Sequence, residues 1–183
     1  ADPKAAAIAA DIAENTVQTI TDAEAIGRYE CVPEDDMFDI EYWSLEQAKL
    51  GKGAEKPLAR QVVAVTGAGG GIGSAIVAAF AREGASVVAL DLDIAAAARA
   101  VESAGGLALA CDVTERSSVA AAFEAICEAF GGVDIVVSNA GAAWSGKIGE
   151  VSDAVLRQSF ELNFYGHQNV AQAAVRVMKA QGT

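Results

Sequence analysis

Five glycines fall within seven residues, at positions 67, 69, 70, 71 and 73. They follow an apolar and β-branched run, residues 62–66, which is typical of a buried parallel strand. An alanine-rich segment with helical spacing, residues 74–81, comes next. A helix N-terminus offers unpaired N–H groups and a partial positive charge to a pyrophosphate, and glycine lets the backbone come close to it. The order of strand, glycine turn and helix therefore predicts a pyrophosphate site, with a glycine-rich surface loop as the alternative.

Three polar residues follow later apolar runs in the same way. Asp91 ends the second run, and its carboxylate can accept hydrogen bonds from ribose hydroxyls. Asp112 follows the third run, where it can accept from an adenine amino group or instead cap a helix or form a turn. Asn139 follows the fourth run, and we expect it to be a structural hydrogen-bonder. In open α/β sheets ligands bind outside the carboxyl ends of the strands, so these ends are the predicted crevice.

Strands and helices must alternate to position these residues. The sequence predicts strands at 62–66, 86–90, 107–110 and 133–137, and helices at 74–81, 94–104, 116–130 and 152–179. Alternation of this kind produces βαβ units, a parallel sheet and right-handed crossovers. We therefore predict an α/β fold, a Rossmann-type doubly wound parallel sheet, of which residues 61–183 hold the first half.

Residues 1–60 are predicted to form a separate, acidic and mostly helical arm with its linker. A helix is expected at 5–20, and Thr21 with Glu24 predicts a capping box for a second short helix. Pro33 and the three acids after it are expected to break any regular pattern. Another helix is expected at 45–50, before a polar linker at 51–57. This arm could be a docking segment or the tail of a preceding domain.

Composition narrows the class of protein. The chain has 183 residues, and its formal charge of −12 argues against a nucleic-acid partner and against an anionic membrane surface. No apolar run approaches the ~20 residues that span a bilayer, and the N-terminus does not resemble a signal peptide. Three cysteines at unrelated spacings favour reduced, mostly buried thiols in a cytoplasmic protein. Because the sequence lacks an initiator Met, we expect it to begin partway through a longer chain.

Four motifs in residues 61–183 resemble those of the short-chain dehydrogenase/reductase family. Its cofactor loop is matched by Thr66, Gly67, Ala68, Gly69, Gly70, Gly71, Ile72 and Gly73. Its adenine-side segment is matched by Cys111, Asp112, Val113 and Thr114. Its NNAG signature is matched by Ser138, Asn139, Ala140 and Gly141, with Ser138 departing from the usual Asn, and its catalytic-helix asparagine by Asn163. The resemblance implies a catalytic role for Asn163. It implies cofactor-binding roles for the residues of the first three sets other than Ala68, Cys111, Thr114 and Ser138.

The family performs its chemistry with a Ser and a Tyr-x-x-x-Lys pair, which couple proton transfer to hydride transfer from nicotinamide. None of the three tyrosines is followed by Lys at the fourth position, so the pair is absent from residues 1–183. We expect the missing residues to follow Thr183, and we expect a polypeptide of these residues alone to be inactive. No metal site is predicted.

The resemblance implies a nicotinamide cofactor, and Asp91 favours NAD, because its carboxylate would repel the 2′-phosphate of NADP. A small alcohol or carbonyl compound is implied as the substrate, with a sugar-derived alcohol or aldehyde preferred. The residues that select among such compounds are expected to lie in the half of the domain that residues 61–183 do not include. A 3-oxoacyl-type carbonyl reductase and a non-catalytic nucleotide-binding module are the alternatives. The apolar faces of the last two helices predict a homodimer or homotetramer.

Residues 1–60 resemble the junction of bifunctional proteins in which a class II aldolase of the rhamnulose-1-phosphate type precedes a short-chain dehydrogenase. The resemblance rests on the acidic segment at 29–50. It implies that this arm is the tail of an aldolase domain. The metal-binding histidines of such a domain are not among residues 1–60, and His167, the only histidine, is expected to be a surface or packing residue.

Overall fold

A computed structural model describes residues 3–41 and 56–182 of the chain. The chain divides into two compact units, Asp2–Lys56 and Pro57–Thr183. In the described part of the first unit there are two helices, α1 (Pro3–Ile26) and α2 (Glu34–Glu41). The helix predicted at 45–50 lies outside the described residues. No helix among the described residues is both long and apolar enough to cross a membrane.

Both helices of the first unit differ from the prediction. The capping box at Thr21 is wrong, because α1 continues through it and the Thr21 hydroxyl donates to the carbonyl of Val17, one turn back. The expected irregular stretch after Pro33 is also wrong, because α2 begins at Glu34. Three acids occupy the first turn of α2, where negative charge interacts favourably with the helix dipole. The acidic residues after Pro33 therefore favour a helix at this position and do not interrupt one.

The second unit alternates strands and helices along the chain. In order these are β1 (Val62–Thr66), α3 (Gly71–Arg82), β2 (Ser86–Asp91), α4 (Ile94–Val101), β3 (Leu107–Ala110), α5 (Arg116–Phe130), β4 (Ile135–Val137), α6 (Asp153–Phe160), a π-helical turn (Glu161–Tyr165) and α7 (Gly166–Gln181). The four strands form one parallel sheet in the order β3-β2-β1-β4. The predicted fold, a doubly wound parallel α/β sheet, is confirmed.

The core lies on both faces of this sheet. Every residue of the central strand β1 is buried. Val62 and Ala64 belong to the same cluster as Phe123 of α5, whereas Val65 belongs to the opposite cluster with Val77 of α3. Because successive side chains of a strand point to opposite faces, β1 contributes to both layers. Its carboxyl end is thereby fixed between those of β2 and β4.

The single long helix predicted at 152–179 is interrupted. Ser152 does cap α6, since its hydroxyl accepts from the N–H of Val155 at 3.4 Å. The π-helical turn then intervenes, and the N–H of Gly166 bonds the carbonyl of Glu161, five residues back. A turn of this kind inserts one extra residue into a helix and is frequent at functional sites. It carries Asn163, the residue that the sequence singled out on this helix.

Candidate dinucleotide-binding site

The glycine turn connects the carboxyl end of β1 to the start of α3. Gly67 has a φ of +63°, and a Cβ on it would lie 2.8 Å from the Cα of Ala140. A Cβ on Gly73 would collide with the carbonyl oxygen of Gly67 and lie 2.8 Å from the Cα of Ala68. Gly67 therefore permits the turn, and Gly73 permits close packing of α3 against it.

A cleft of about 500 Å³ opens over this turn. Its lining residues are Gly67, Gly69, Gly70, Gly71, Ile72, Gly73, Asp91, Ala96, Asn139, Ala140 and Gly141. A Cβ on Gly71 would have no neighbour within 4 Å, so the absence of a side chain there leaves open space. Gly70 is the N-cap of α3 and supplies no side-chain cap, so the first N–H groups of the helix have no partner within it. The cleft thus combines free backbone donors with room for an anionic group.

Asp91 supplies the carboxylate in this cleft. Its Oδ2 accepts from the N–H of Gly69 at 2.8 Å, and its Oδ1 accepts from the N–H of Asp93 at 3.0 Å. Each carboxylate oxygen retains a second acceptor site. Asp93, not Asp91, caps α4, because it accepts from the N–H groups of Ala95 and Ala96. Asp91 is therefore positioned by the glycine turn and can still accept from a ligand's hydroxyls.

Thr66 and Asn139 join the turn to the end of β4. The fully buried hydroxyl of Thr66 accepts from the N–H groups of Asn139 at 2.9 Å and Ala140 at 3.0 Å. The Asn139 amide donates in return to the carbonyls of Thr66 and Gly67, at 3.0 and 3.2 Å. Asn139 is thus a structural hydrogen-bonder that fixes one wall of the cleft.

Asp112 and Val113 do not line the cleft. Oδ1 of Asp112 accepts from both the N–H and the hydroxyl of Thr114, at 2.9 and 2.7 Å, which makes the turn that the sequence left as an alternative. Val113 is buried, and a Cβ on Gly166 would lie 2.9 Å from its Cγ2. Val113 therefore packs against the start of α7, and the proposed contact of Asp112 with adenine stays a prediction.

Cys111 precedes this turn and is buried. Burial, together with the negative charge of Asp112, raises the pKa of the Cys111 thiol to about 11, although a hydrogen bond with Ser118 acts in the opposite direction. A protonated thiol is a poor nucleophile. The expectation of mostly buried cysteines is wrong for Cys31, which is exposed.

Asn163 binds the segment that follows β4. Its Oδ1 accepts from the N–H of Ala142 at 3.0 Å, and its Nδ2 donates to the carbonyl of Ala142 at 2.8 Å. Nδ2 also lies 3.3 Å from the hydroxyl of Ser159. A Cβ on Gly141 would lie 2.9 Å from the Asn163 Oδ1, so glycine permits this approach. The π-helical turn and the cleft wall are joined through this one side chain.

Two polar interactions on α7 escaped the sequence reasoning. Asn169 is buried; it accepts from Nε of Arg116 at 3.1 Å and donates to the carbonyl of Val113 at 3.0 Å. The hydroxyl of Ser138 lies 2.6 Å from Nδ1 of His167. For His167 the sequence offered one signal, its spacing of four residues from Asn163, because residues four apart lie on one face of a helix.

The described residues contain no group of three or more His, Cys, Asp or Glu side chains that could hold a metal ion. In the cleft, the unpartnered N–H groups at the start of α3 adjoin the Asp91 carboxylate, an arrangement that suits an anion attached to a hydroxyl-bearing group. Free N–H groups suit a pyrophosphate, and the adjoining carboxylate suits a ribose.

Comparison with known proteins agrees with this geometry. Residues 61–183 match the family profile described as short chain dehydrogenase, and residues 1–50 match the profile described as Aldolase class II, second domain. The oxidoreductase YuxG of Bacillus subtilis is 38% identical over 167 residues, which cover 87% of this chain and 24% of that protein. Galactitol 2-dehydrogenase of Agrobacterium fabrum is 36% identical over 126 residues, covering 68% of this chain and 49% of that enzyme.

Among solved structures, the chain is similar to that of a short-chain type dehydrogenase/reductase from Mycobacterium marinum. It superposes with a TM-score of 0.68 at 28% identity, over 70% of this chain and 52% of that one. The chain spans about half the length of most of these relatives and a quarter of YuxG. The family profile matches well over half of the present sequence. The chain therefore belongs to the short-chain dehydrogenase family.

Proposed function

We propose that the protein is an NAD-dependent dehydrogenase/reductase that transfers a hydride between nicotinamide and an alcohol or carbonyl compound. The cleft at the glycine turn carries this proposal, because free N–H groups at the start of α3, open space at Gly71 and the Asp91 carboxylate adjoin one another there. The turn would hold the pyrophosphate, and Asp91 would hold the adenosine ribose. The bound nicotinamide would supply the hydride chemistry.

A preference for NAD over NADP follows from the charge of Asp91. The 2′-phosphate of NADP would adjoin its carboxylate, and two like charges ~4 Å apart repel by about 4 kcal/mol at an effective dielectric constant near 20. Solvent and salt reduce this figure, so we expect a preference of roughly ten- to a thousandfold. Among the described residues that line the cleft, Asp91 is the only charged one, and Leu92, Asp93 and Ile94 after it add no base.

Dissociation constants for NADH and NADPH test this preference in the intact protein, meaning this chain with the residues that flank it. Asp91→Asn removes the charge and keeps a carbonyl oxygen, so the preference should fall at least tenfold. Asp93→Asn is the matched control, because it removes a neighbouring charge while Asn remains a good N-cap. Equal or tighter NADPH binding by the wild type would show that the cofactor assignment is wrong.

A sugar-derived alcohol or aldehyde is the proposed substrate. The similarity to galactitol 2-dehydrogenase supports this class. We would assay the intact protein with NAD against a panel of sugar alcohols, and with NADH against matching aldehydes and a 3-oxoacyl ester. Turnover of the 3-oxoacyl ester alone would favour a carbonyl reductase of that type. Dinucleotide binding without turnover of any compound would favour a non-catalytic module.

Asn163 is proposed to be required for turnover. Its amide makes two hydrogen bonds to the backbone of Ala142, next to the cleft wall. Asn163→Ala removes both, and we expect turnover to fall well below that of the wild type. An unchanged rate would remove Asn163 from the catalytic set.

The arm at residues 1–60 is proposed to be the end of a class II aldolase domain of the rhamnulose-1-phosphate type. The aldolase profile match over residues 1–50 supports this, as does the large part of YuxG that lies beyond the matched region. Helix α1 leaves Ile8, Ile12 and Val17 at least half exposed, as expected of a helix that packs against a further part of its domain. Sequencing the gene upstream of Ala1 tests the idea, and a start codon at that point would contradict it.

The protein is further proposed to be a homodimer or homotetramer and to lie in the cytoplasm. The segment from α6 to α7 exposes several large apolar side chains, which suits an interface: Leu156, Phe160, Phe164, Tyr165 and Val175. Light scattering of the intact protein at micromolar concentration should give a mass of two or four chains, and a monomer would contradict it. Free thiols suit a reducing compartment, and cell fractionation checks this location.

A further inference from the structure

The segment after β4, residues 138–142, belongs to no helix or strand, and its middle three residues form one wall of the cleft. Asn139, Ala140 and Gly141 line the cleft. On the side of the sheet, the hydroxyl of Thr66 holds two successive N–H groups of this segment. The position of the wall therefore depends on side-chain hydrogen bonds to its backbone and not on a strand ladder.

Two side chains from the opposite side complete this arrangement. Asn163, in the π-helical turn, binds the backbone of Ala142 at one end of the segment. His167, in the first turn of α7, lies with Nδ1 2.6 Å from the hydroxyl of Ser138 at the other end. The cleft wall is thus held between two contacts that come from residues four positions apart.

We propose that His167 is a positioning residue, which acts through the Ser138 hydroxyl to hold the cleft wall in the geometry that receives the dinucleotide. The proposal rests on the proposed function of the cleft. Neither residue lines the cleft, so the effect passes through the backbone from Ser138 to Asn139. Ser138 stands where the family's signature has an asparagine, and its hydroxyl reaches the imidazole at hydrogen-bond distance.

A Ser–His pair can also activate a nucleophile, but activation ordinarily needs a third group that orients the imidazole. Within residues 3–41 and 56–182, no carboxylate forms a hydrogen bond or an ion pair with His167. Ser138 immediately precedes Asn139 in the chain, and the hydrogen bonds of Asn139 fix the wall. The pair therefore serves the geometry of the wall.

The test compares NADH dissociation constants of the intact protein and its variants. Ser138→Ala removes the hydroxyl and His167→Leu removes the ring nitrogen; each should raise the dissociation constant about two- to tenfold, the range of one hydrogen bond. The double variant should bind about as weakly as either single variant, because both remove the same interaction. His167→Asn places a polar atom on the same carbon as Nδ1 and should restore binding to within about twofold. Gln168→Leu, at an exposed neighbour, is the control and should change nothing.

Thermal unfolding of each variant separates positioning from loss of the fold. Rescue by His167→Asn with an unchanged melting temperature across the series would support the proposal. If every variant bound NADH as tightly as the wild type, the positioning role would be overturned and the proposed function would stand. Failure of the folded wild type to bind either nicotinamide cofactor would overturn the proposed function, and the positioning role with it.

Discussion

Two substitutions in the first turn of α3 distinguish a glycine needed for packing, Gly73, from a glycine proposed to bind the cofactor, Gly71. Gly73→Ala adds a Cβ that would collide with the carbonyl oxygen of Gly67 and lie 2.8 Å from the Cα of Ala68. Gly71→Ala adds the same group two residues earlier, with no neighbour within 4 Å. Both changes are identical in chemistry, both are at the start of one helix, and neither residue has a positive φ. Each is therefore the matched control of the other.

The magnitudes follow from these distances. Ordinary Cβ contacts begin at 3.4 Å, so backbone atoms near Gly73 must move by about 0.6 Å or more to accommodate the methyl group. Overpacking typically costs about 1–3 kcal/mol, and rigid backbone on both sides favours the upper end, about 3 kcal/mol. Alanine returns at most about 1 kcal/mol of helix propensity at either position. Gly73→Ala should therefore lower the free energy of unfolding by about 2 kcal/mol, and Gly71→Ala should leave it unchanged or raise it by up to about 1 kcal/mol.

For dinucleotide binding we expect Gly71→Ala to have the larger effect, whereas for stability we expect Gly73→Ala to have it. The methyl group of Gly71→Ala enters the open space of the cleft, and we expect it to weaken NADH binding at least tenfold. Urea denaturation followed by circular dichroism measures stability, and fluorescence titration measures binding. Equal loss of stability in both variants would refute the packing argument for Gly73. Wild-type affinity in Gly71→Ala would refute the placement of the pyrophosphate.

Four further predictions concern the buried side chains of Thr66, Asn169 and Cys111. Thr66→Val leaves two backbone N–H groups without their acceptor and should cost about 1–3 kcal/mol of unfolding free energy in urea denaturation. Asn169→Ala removes a buried amide that bonds a carbonyl after β3, and the same assay should show a loss of about 1–3 kcal/mol, whereas no loss would contradict the role of this amide. A thiol reagent at pH 8 should label exposed Cys31 first and Cys111 only after unfolding. Burial raises the Cys111 pKa from 9.0 to about 11, so the contribution of this thiol to stability is fully present below pH 9 and is lost as the pH rises through 11. Cys111→Ala should abolish this pH dependence of the free energy of unfolding.

Local patterns were sufficient for the sheet and for the glycine turn. The β-branched residues of β1 are buried on both faces, so a continuous apolar run marked the strand without ambiguity. The glycines limited the turn to one place, because a Cβ at Gly67 or at Gly73 would lie 2.8 Å from a neighbouring Cα, and the φ of Gly67 is one that residues with side chains rarely adopt. The parallel direction of the strands then followed from their alternation with helices, whereas the order β3-β2-β1-β4 was seen only in the structure.

Local patterns failed where a side chain had two possible partners. Thr21 can cap a new helix or donate to the preceding turn, and within α1 it donates to Val17. The acids after Pro33 can mark a polar loop or the first turn of a helix, and α2 shows the second outcome. Composition alone does not separate these cases, because the choice depends on the backbone that the neighbouring residues adopt.

The π-helical turn shows that local sequence patterns also failed at the candidate dinucleotide-binding site. Apolar spacing predicts an unbroken helix over 152–179, and a single inserted residue barely alters that pattern. Yet the insertion lies at Glu161–Tyr165, where the Asn163 amide bonds the backbone of Ala142. That bond joins residues 21 positions apart in sequence, so no helical or strand periodicity encodes it. The contacts that hold the cleft wall therefore had to be found in the structure, although the sequence had named Asn163 itself, whereas the glycines that shape the cleft could be found in the sequence.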